Sequence, residues 1–158
     1  MMEIREGYMP FMGYQTYYRM VGTQTGNKKP LILLHGGPGS THNYFEVLDR
    51  LAEEDGRQLV MYDQIGCGSH NVEDRPDLWN AEVWIRELEE LRSHLGLSQA
   101  HLLGQSWGGM LLLEYLCNHE PEGIRKHHSF QYAAGILDVG PGADENGQIP
   151  AAGNAGRH

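Results

Sequence analysis

The chain has 158 residues, 40% apolar and 21% charged, with 12 Lys and Arg against 21 Asp and Glu for a net charge of −9. That acidic balance argues against a phosphate-gripping surface, so no nucleic-acid partner is expected, and it argues equally against docking on anionic membranes. No apolar run is long enough to span a bilayer, no signal-peptide pattern opens the chain, and Cys67 and Cys117 are too few to staple a fold, so a cytoplasmic location is the expectation.

In chain order, Tyr14, Thr16, Tyr18 and Met20 alternate along one face. Aromatic residues at period two predict a half-buried strand, and with Glu3–Tyr8 before it an antiparallel hairpin. Polar Gly22–Lys29 predicts a loop. Leu31-Ile32-Leu33-Leu34 is the wholly apolar run of a strand covered on both faces, and His35-Gly36-Gly37-Pro38-Gly39 stops it. Tyr44, Val47, Leu48 and Leu51 predict a helix over Asn43–Glu54, with Gly56 beyond its end. Gln58–Tyr62 reads as a second buried strand, closed by the glycine-rich turn Asp63–Gly68. Asn80–Leu95 is the clearest helix, with Trp84, Leu88, Leu91 and Leu95 as its apolar stripe and Arg86, Glu87, Glu89 and Glu90 as a solvated face. Ala100–Leu103 predicts a third buried strand, residues 104–109 a glycine-rich turn, and Met110–Asn118 a buried helix ending before Pro121.

A hairpin followed by alternating strands and helices predicts an α/β sheet, parallel after the hairpin, with right-handed crossovers. Ligands of such sheets bind outside the carboxyl ends of the strands, and all three glycine-rich loops fall there.

Gly104-Gln105-Ser106-Trp107-Gly108 fits G-x-S-x-G between a strand and a helix. In that context the serine sits on a strained turn that pushes its hydroxyl out over the sheet, beside the amides of a helix N-terminus. Ser106 is therefore the expected nucleophile and the Trp107 N–H one expected oxyanion donor, with a second donor expected from the loop 35–39. A glycine-rich turn bearing a solvated serine is the competing reading, and it leaves the second loop unexplained. His35 and Asp63 are expected to shape loops: Asp63 precedes Ser106, whereas the acid follows the serine in hydrolases of this architecture. No histidine spacing suits a metal, and Cys67 has no cationic sequence neighbour to activate it.

Three motifs together, His35-Gly36-Gly37-Pro38-Gly39, Asp63-Gln64-Ile65-Gly66-Cys67-Gly68 and Gly104-Gln105-Ser106-Trp107-Gly108-Gly109, resemble those of the proline iminopeptidases, serine aminopeptidases of the α/β-hydrolase superfamily. The likeness covers residues 1–126. It implies the α/β-hydrolase fold, Ser106 as nucleophile, the N–H groups of Gly37 and Trp107 as the oxyanion hole, and His35, Gly36, Pro38, Gly39, Asp63, Gln64, Gly104, Gln105 and Gly108 as loop residues shaping the site. It further implies release of an N-terminal residue, preferentially proline, from small peptides, without metal or cofactor. Ser69-His70 departs from the pattern, which would place serine at position 70.

The family's later strands, its cap, its triad acid and its histidine have no counterpart here, so the fold is expected to be truncated and the chain inactive alone. Asp138 and His158 follow Ser106 in the permitted order, within a Gly/Ala-rich tail, residues 127–158, that lacks any strand-helix pattern. Shifted by one base from the second base of the His127 codon, permitted codons spell Ile-Ile-Leu-Ser-Ser-Thr-Leu-Pro-Ala-Ser-Trp, an apolar strand and a polar turn. The tail thus reads as out-of-frame and disordered. Without the next strand, Ala100–Leu103 would be an exposed sheet edge prone to self-association. An esterase-like α/β-hydrolase and a non-catalytic associating fragment are the alternative functions.

Overall fold

The computed structural model describes residues 2–68, 72 and 75–126, and the backbone of 127–130. Strand β1 (Ile4–Phe11) and strand β2 (Tyr14–Val21) form the hairpin, in register from Ile4 opposite Val21 to Phe11 opposite Tyr14. Both turn residues, Met12 and Gly13, have positive φ (49° and 83°), the combination whose twist matches a tight hairpin. Strand β3 (Leu31–Leu34), strand β4 (Leu59–Tyr62), strand β5 (Ala100–Gln105) and strand β6 (Ile124–Phe130) complete one sheet in the order β1-β2-β4-β3-β5-β6. β2 pairs antiparallel with β4, and every later pairing is parallel.

Alternation divides the strand residues between two cores. Ile32, Leu34, Val60 and Tyr62 face helix α2 (Ala81–His94) and helix α3 (Trp107–His119) through Trp84, Leu88, Leu91, Leu111, Leu112 and Tyr115. Leu33, Leu59 and Met61 face Phe45 and Ala52 on the opposite side, the latter in helix α1 (Asp49–Glu54). The Asn80 side chain accepts the Val83 N–H at 3.0 Å, which fixes where α2 starts.

Several expectations change. Only Asp49–Glu54 of the segment 43–54 is α-helical, because His42–Leu48 winds as a 3-10 helix. At three residues per turn the inward face shifts, so Phe45 and Ala52 are buried while Tyr44, Val47 and Leu51 stay exposed. β2 is covered on both sides in its second half: Arg19 points away from Thr16 and Met20 and is buried in a two-pronged ion pair with Asp49 at 2.7 and 2.8 Å. Glu87 is fully buried rather than solvated. It lies about 60° from Trp84 around the helix axis, at the margin of the apolar stripe. α3 begins at Trp107, three residues early, because Ser106 alone makes the turn.

β6 reaches Phe130, four residues into the stretch set apart from the sequence, and lies beside β5. A strand against an unpaired neighbour gains its ladder bonds through the backbone, whatever its side chains. β5 is therefore internal, and β6 is the outermost described strand on that side. Ser69, His70, Asp138, His158 and the rest of the tail from 131 lie outside the described residues.

Candidate active site at the strand ends

β3, β4 and β5 run parallel, so their carboxyl ends deliver the loops 35–39, 63–68 and the turn at 106 to one rim of the sheet. Ser106 has φ 54° and ψ −120°, between the end of β5 and the first residue of α3. That backbone conformation costs a side-chain-bearing residue roughly 1–3 kcal/mol and persists where the surroundings enforce it. Packing enforces it here. A Cβ on Gly104 would lie 2.3 Å from the Gly108 carbonyl oxygen, and one on Gly108 would lie 2.1 Å from the Leu34 carbonyl oxygen. The strand, the turn and the helix pass so close that the two glycines flanking the serine are steric requirements.

Ser106 is half-buried, and its carbonyl accepts from the Gly109 and Met110 amides at 2.9 and 3.2 Å, closing the first turn of α3. Trp107 is the first helical residue, so its amide has no acceptor within the helix. Its ring stacks edge-on against Trp84 with centroids 5.1 Å apart.

The loop after β3 lies directly over this turn. A Cβ on Gly36 would meet Gln105 Oε1 at 2.6 Å and Ser106 Cβ at 3.1 Å. His35 is fully buried and committed on both ring nitrogens: Nε2 accepts the Gln64 amide at 2.9 Å, so Nδ1 carries the proton and donates to the Gly36 carbonyl at 2.8 Å. Burial lowers its pKa, consistent with a neutral ring. The Gln64 side chain donates back to the His35 carbonyl at 3.0 Å. His35 and Gln64 thus shape loops, and His35 has no free nitrogen for proton transfer. The Gly36 N–H donates to the Tyr44 hydroxyl at 2.6 Å, which leaves Gly37, exposed and at φ 123°, as the next amide of the loop. Pro38 and Gly39 are exposed beyond it, with Pro38 joined through a cis bond.

Asp63 also holds loops together. Its Oδ1 accepts the His42 amide at 2.9 Å and pairs with His42 Nδ1 at 2.7 Å, while its own N–H donates to the Tyr17 carbonyl at 3.0 Å. Burial pushes the Asp63 carboxyl up, but the bonds from His42 outweigh it and hold the pKa below the usual range. His42 stacks on Tyr17 at 5.0 Å and turns Nε2 toward Glu46 at 3.6 Å. Tyr8, Tyr17, Thr41, His42, Asn43, Asp63 and Gly68 line a cavity of about 380 Å³ beside these loops.

Sequence reasoning missed three contributors: His42, Tyr44 and Glu87. The Glu87 carboxylate accepts from the Thr16 hydroxyl and from the Ile65 N–H, at 2.9 Å, and thereby pins the 63–68 loop to α2. Its place beside the Trp84 stripe was the readable signal. His42 and Tyr44 gave none, since their partners lie 21 and 61 residues away. Cys67 is a buried free thiol whose pKa burial pushes up to about 11, which disfavours the thiolate form. The described histidine nearest after Ser106, His119, ends α3, roughly 18 Å along the helix from the turn, and pairs with Glu82 at 3.4 Å. Among the described residues no group of three or more His, Cys, Asp or Glu could hold a metal ion, and no helix is long and apolar enough to cross a membrane.

The sequence profile of the alpha/beta hydrolase fold matches residues 29–129. Proline iminopeptidases of Clostridium botulinum and Clostridioides difficile are 66% and 64% identical over 126 residues, which is 80% of this chain and 43% of each relative. The crystal structure of proline iminopeptidase from Mycobacterium smegmatis superposes with a TM-score of 0.70 at 36% identity, over 76% of this chain and 41% of that one. VinJ superposes with a TM-score of 0.73 at 40% identity, over 79% and 43%. The chain spans less than half the length of these relatives. It belongs to the α/β-hydrolase family, and the relatives it is similar to at 58–66% identity are proline iminopeptidases.

Proposed function

We propose that the chain carries the nucleophile and oxyanion elements of a serine aminopeptidase that releases N-terminal residues, proline foremost, from small peptides. The observation that carries this reading is the strained Ser106 turn at the head of α3, packed under the Gly36–Gly37 loop. In this mechanism the Ser106 hydroxyl attacks the carbonyl of the residue to be released, and the Gly37 and Trp107 amides bind the developing oxyanion. The attacking hydroxyl needs a base to take its proton. His35 is committed on both nitrogens, His42 is engaged with Asp63, and His119 is a helix-length away. None of these three described histidines is a free base at Ser106, and we infer that the chain by itself lacks peptidase turnover; a cytoplasmic location accords with the free thiols of Cys67 and Cys117. Self-association through the outer edge of β6 belongs to the same reading.

A fluorophosphonate probe followed by peptide mapping tests the nucleophile. The expected result is slow labelling of Ser106 that Ser106→Ala abolishes, without hydrolysis of proline p-nitroanilide. Absence of labelling overturns the nucleophile assignment; proline p-nitroanilide turnover that Ser106→Ala abolishes overturns the inactivity.

A further inference from the structure

Tyr44 is a half-exposed aromatic residue in the 3-10 turn after the glycine-rich loop, and its hydroxyl is committed twice. It accepts the Gly36 N–H at 2.6 Å and donates to Gln105 Oε1 at 2.8 Å. Gln105 immediately precedes Ser106, and Gly36 immediately precedes Gly37. One oxygen atom therefore joins the loop that bears one expected oxyanion donor to the turn that bears the nucleophile.

The consequence for Gly37 follows from peptide planarity. The Gly36 carbonyl and the Gly37 N–H share one rigid plane and point in opposite directions. His35 Nδ1 holds that carbonyl at 2.8 Å, and Tyr44 holds the preceding amide of the same residue. With both polar groups of Gly36 clamped, the direction of the Gly37 N–H is set. Oxyanion donors work by being oriented before the charge develops, so loosening either clamp weakens the site without removing a donor.

We propose that Tyr44 is a positioning residue of the oxyanion site: its hydroxyl ties the Gly36 amide to the Gln105 side chain and locks the Gly37 loop against the Ser106 turn. This rests on the reading of Ser106 as nucleophile. Tyr44→Phe removes the oxygen and keeps the ring, which packs on Phe45 at 4.5 Å.

Three measurements on the full chain test it. The first is the second-order rate of fluorophosphonate labelling at Ser106 in Tyr44→Phe, Gln105→Leu and the double variant. Tyr44→Phe should slow labelling by roughly tenfold, less than the 10²–10³ typical of deleting a donor outright. Gln105→Leu should have no further effect in the Tyr44→Phe background, because it acts through the lost hydroxyl. The second is amide hydrogen exchange, where the Gly36 N–H alone in the loop should exchange about fivefold faster in Tyr44→Phe, the factor a net hydrogen bond is worth. The third is the melting temperature, which should fall by about 4 °C or less. Unchanged labelling, or independent effects of Tyr44→Phe and Gln105→Leu, overturns the proposal. If the unsubstituted chain is not labelled, the nucleophile reading fails, and Gly36 exchange decides the clamp by itself: unchanged exchange refutes it.

Discussion

Glu87→Gln should make the protein more stable above neutral pH, with the gain shrinking as pH falls and vanishing below about pH 4. Glu87 is fully buried between α2, β2 and the 63–68 loop, and burial, opposed by bonds from Thr16 and Ile65, pushes its carboxyl up to about 7 from an ordinary value of 4.5. The folded state therefore binds the Glu87 proton more tightly than the unfolded chain does. The unfolded chain releases it first as pH rises, so stability falls between about pH 4.5 and 7. The span of about 2.5 pH units corresponds to about 3 kcal/mol, reached at pH 8 and reduced to about 1 kcal/mol at pH 5. Glutamine keeps the shape, accepts from Ile65 and donates to the Thr16 oxygen, and does not titrate. Urea unfolding of both proteins at pH 5, 6, 7 and 8 gives the difference directly. His35 slopes the other way below its unfolded value of 6.5, because burial disfavours its charged form, and that contribution is common to both proteins. A difference that is flat with pH, or a variant less stable than the parent at pH 8, refutes the reasoning.

Ser106→Gly should stabilise the fold by about 1 kcal/mol, since glycine adopts φ 54° freely, while Ser106→Ala should not; thermal melts of the two variants separate backbone strain from loss of the hydroxyl. Asp49→Ala should cost about 3–5 kcal/mol, because it leaves the Arg19 guanidinium buried and unpaired; chemical denaturation measures it. With a thiol-specific reagent under native conditions, exposed Cys117 should react promptly and buried Cys67 only after denaturant is added.

The parts of the fold legible in the sequence are those encoded locally. The run Leu31–Leu34 is strand β3 as read, Asn80 caps α2 where its helical pattern begins, and Gly104 and Gly108 mark the close crossing of strand and helix. The parts that escaped depend on contacts between distant segments. The stripe Tyr44-Val47-Leu51 is a sound α-helical pattern, but His42–Leu48 winds as a 3-10 helix and turns that stripe to solvent. Arg19 on a strand face gives no sign of its buried partner Asp49, 30 residues on. For the site, Ser106 and its loops follow from glycine spacing, whereas the fastening of those loops by His42, Tyr44 and Glu87 depends on partners brought together only by the sheet order.

The phosphonylated protein offers the most direct measurement: a crystal structure of the Ser106 adduct that locates the phosphonyl oxygen. The account predicts that oxygen within about 3 Å of both the Gly37 and Trp107 nitrogens. An adduct whose oxygen points to solvent, or lies against neither amide, would contradict it.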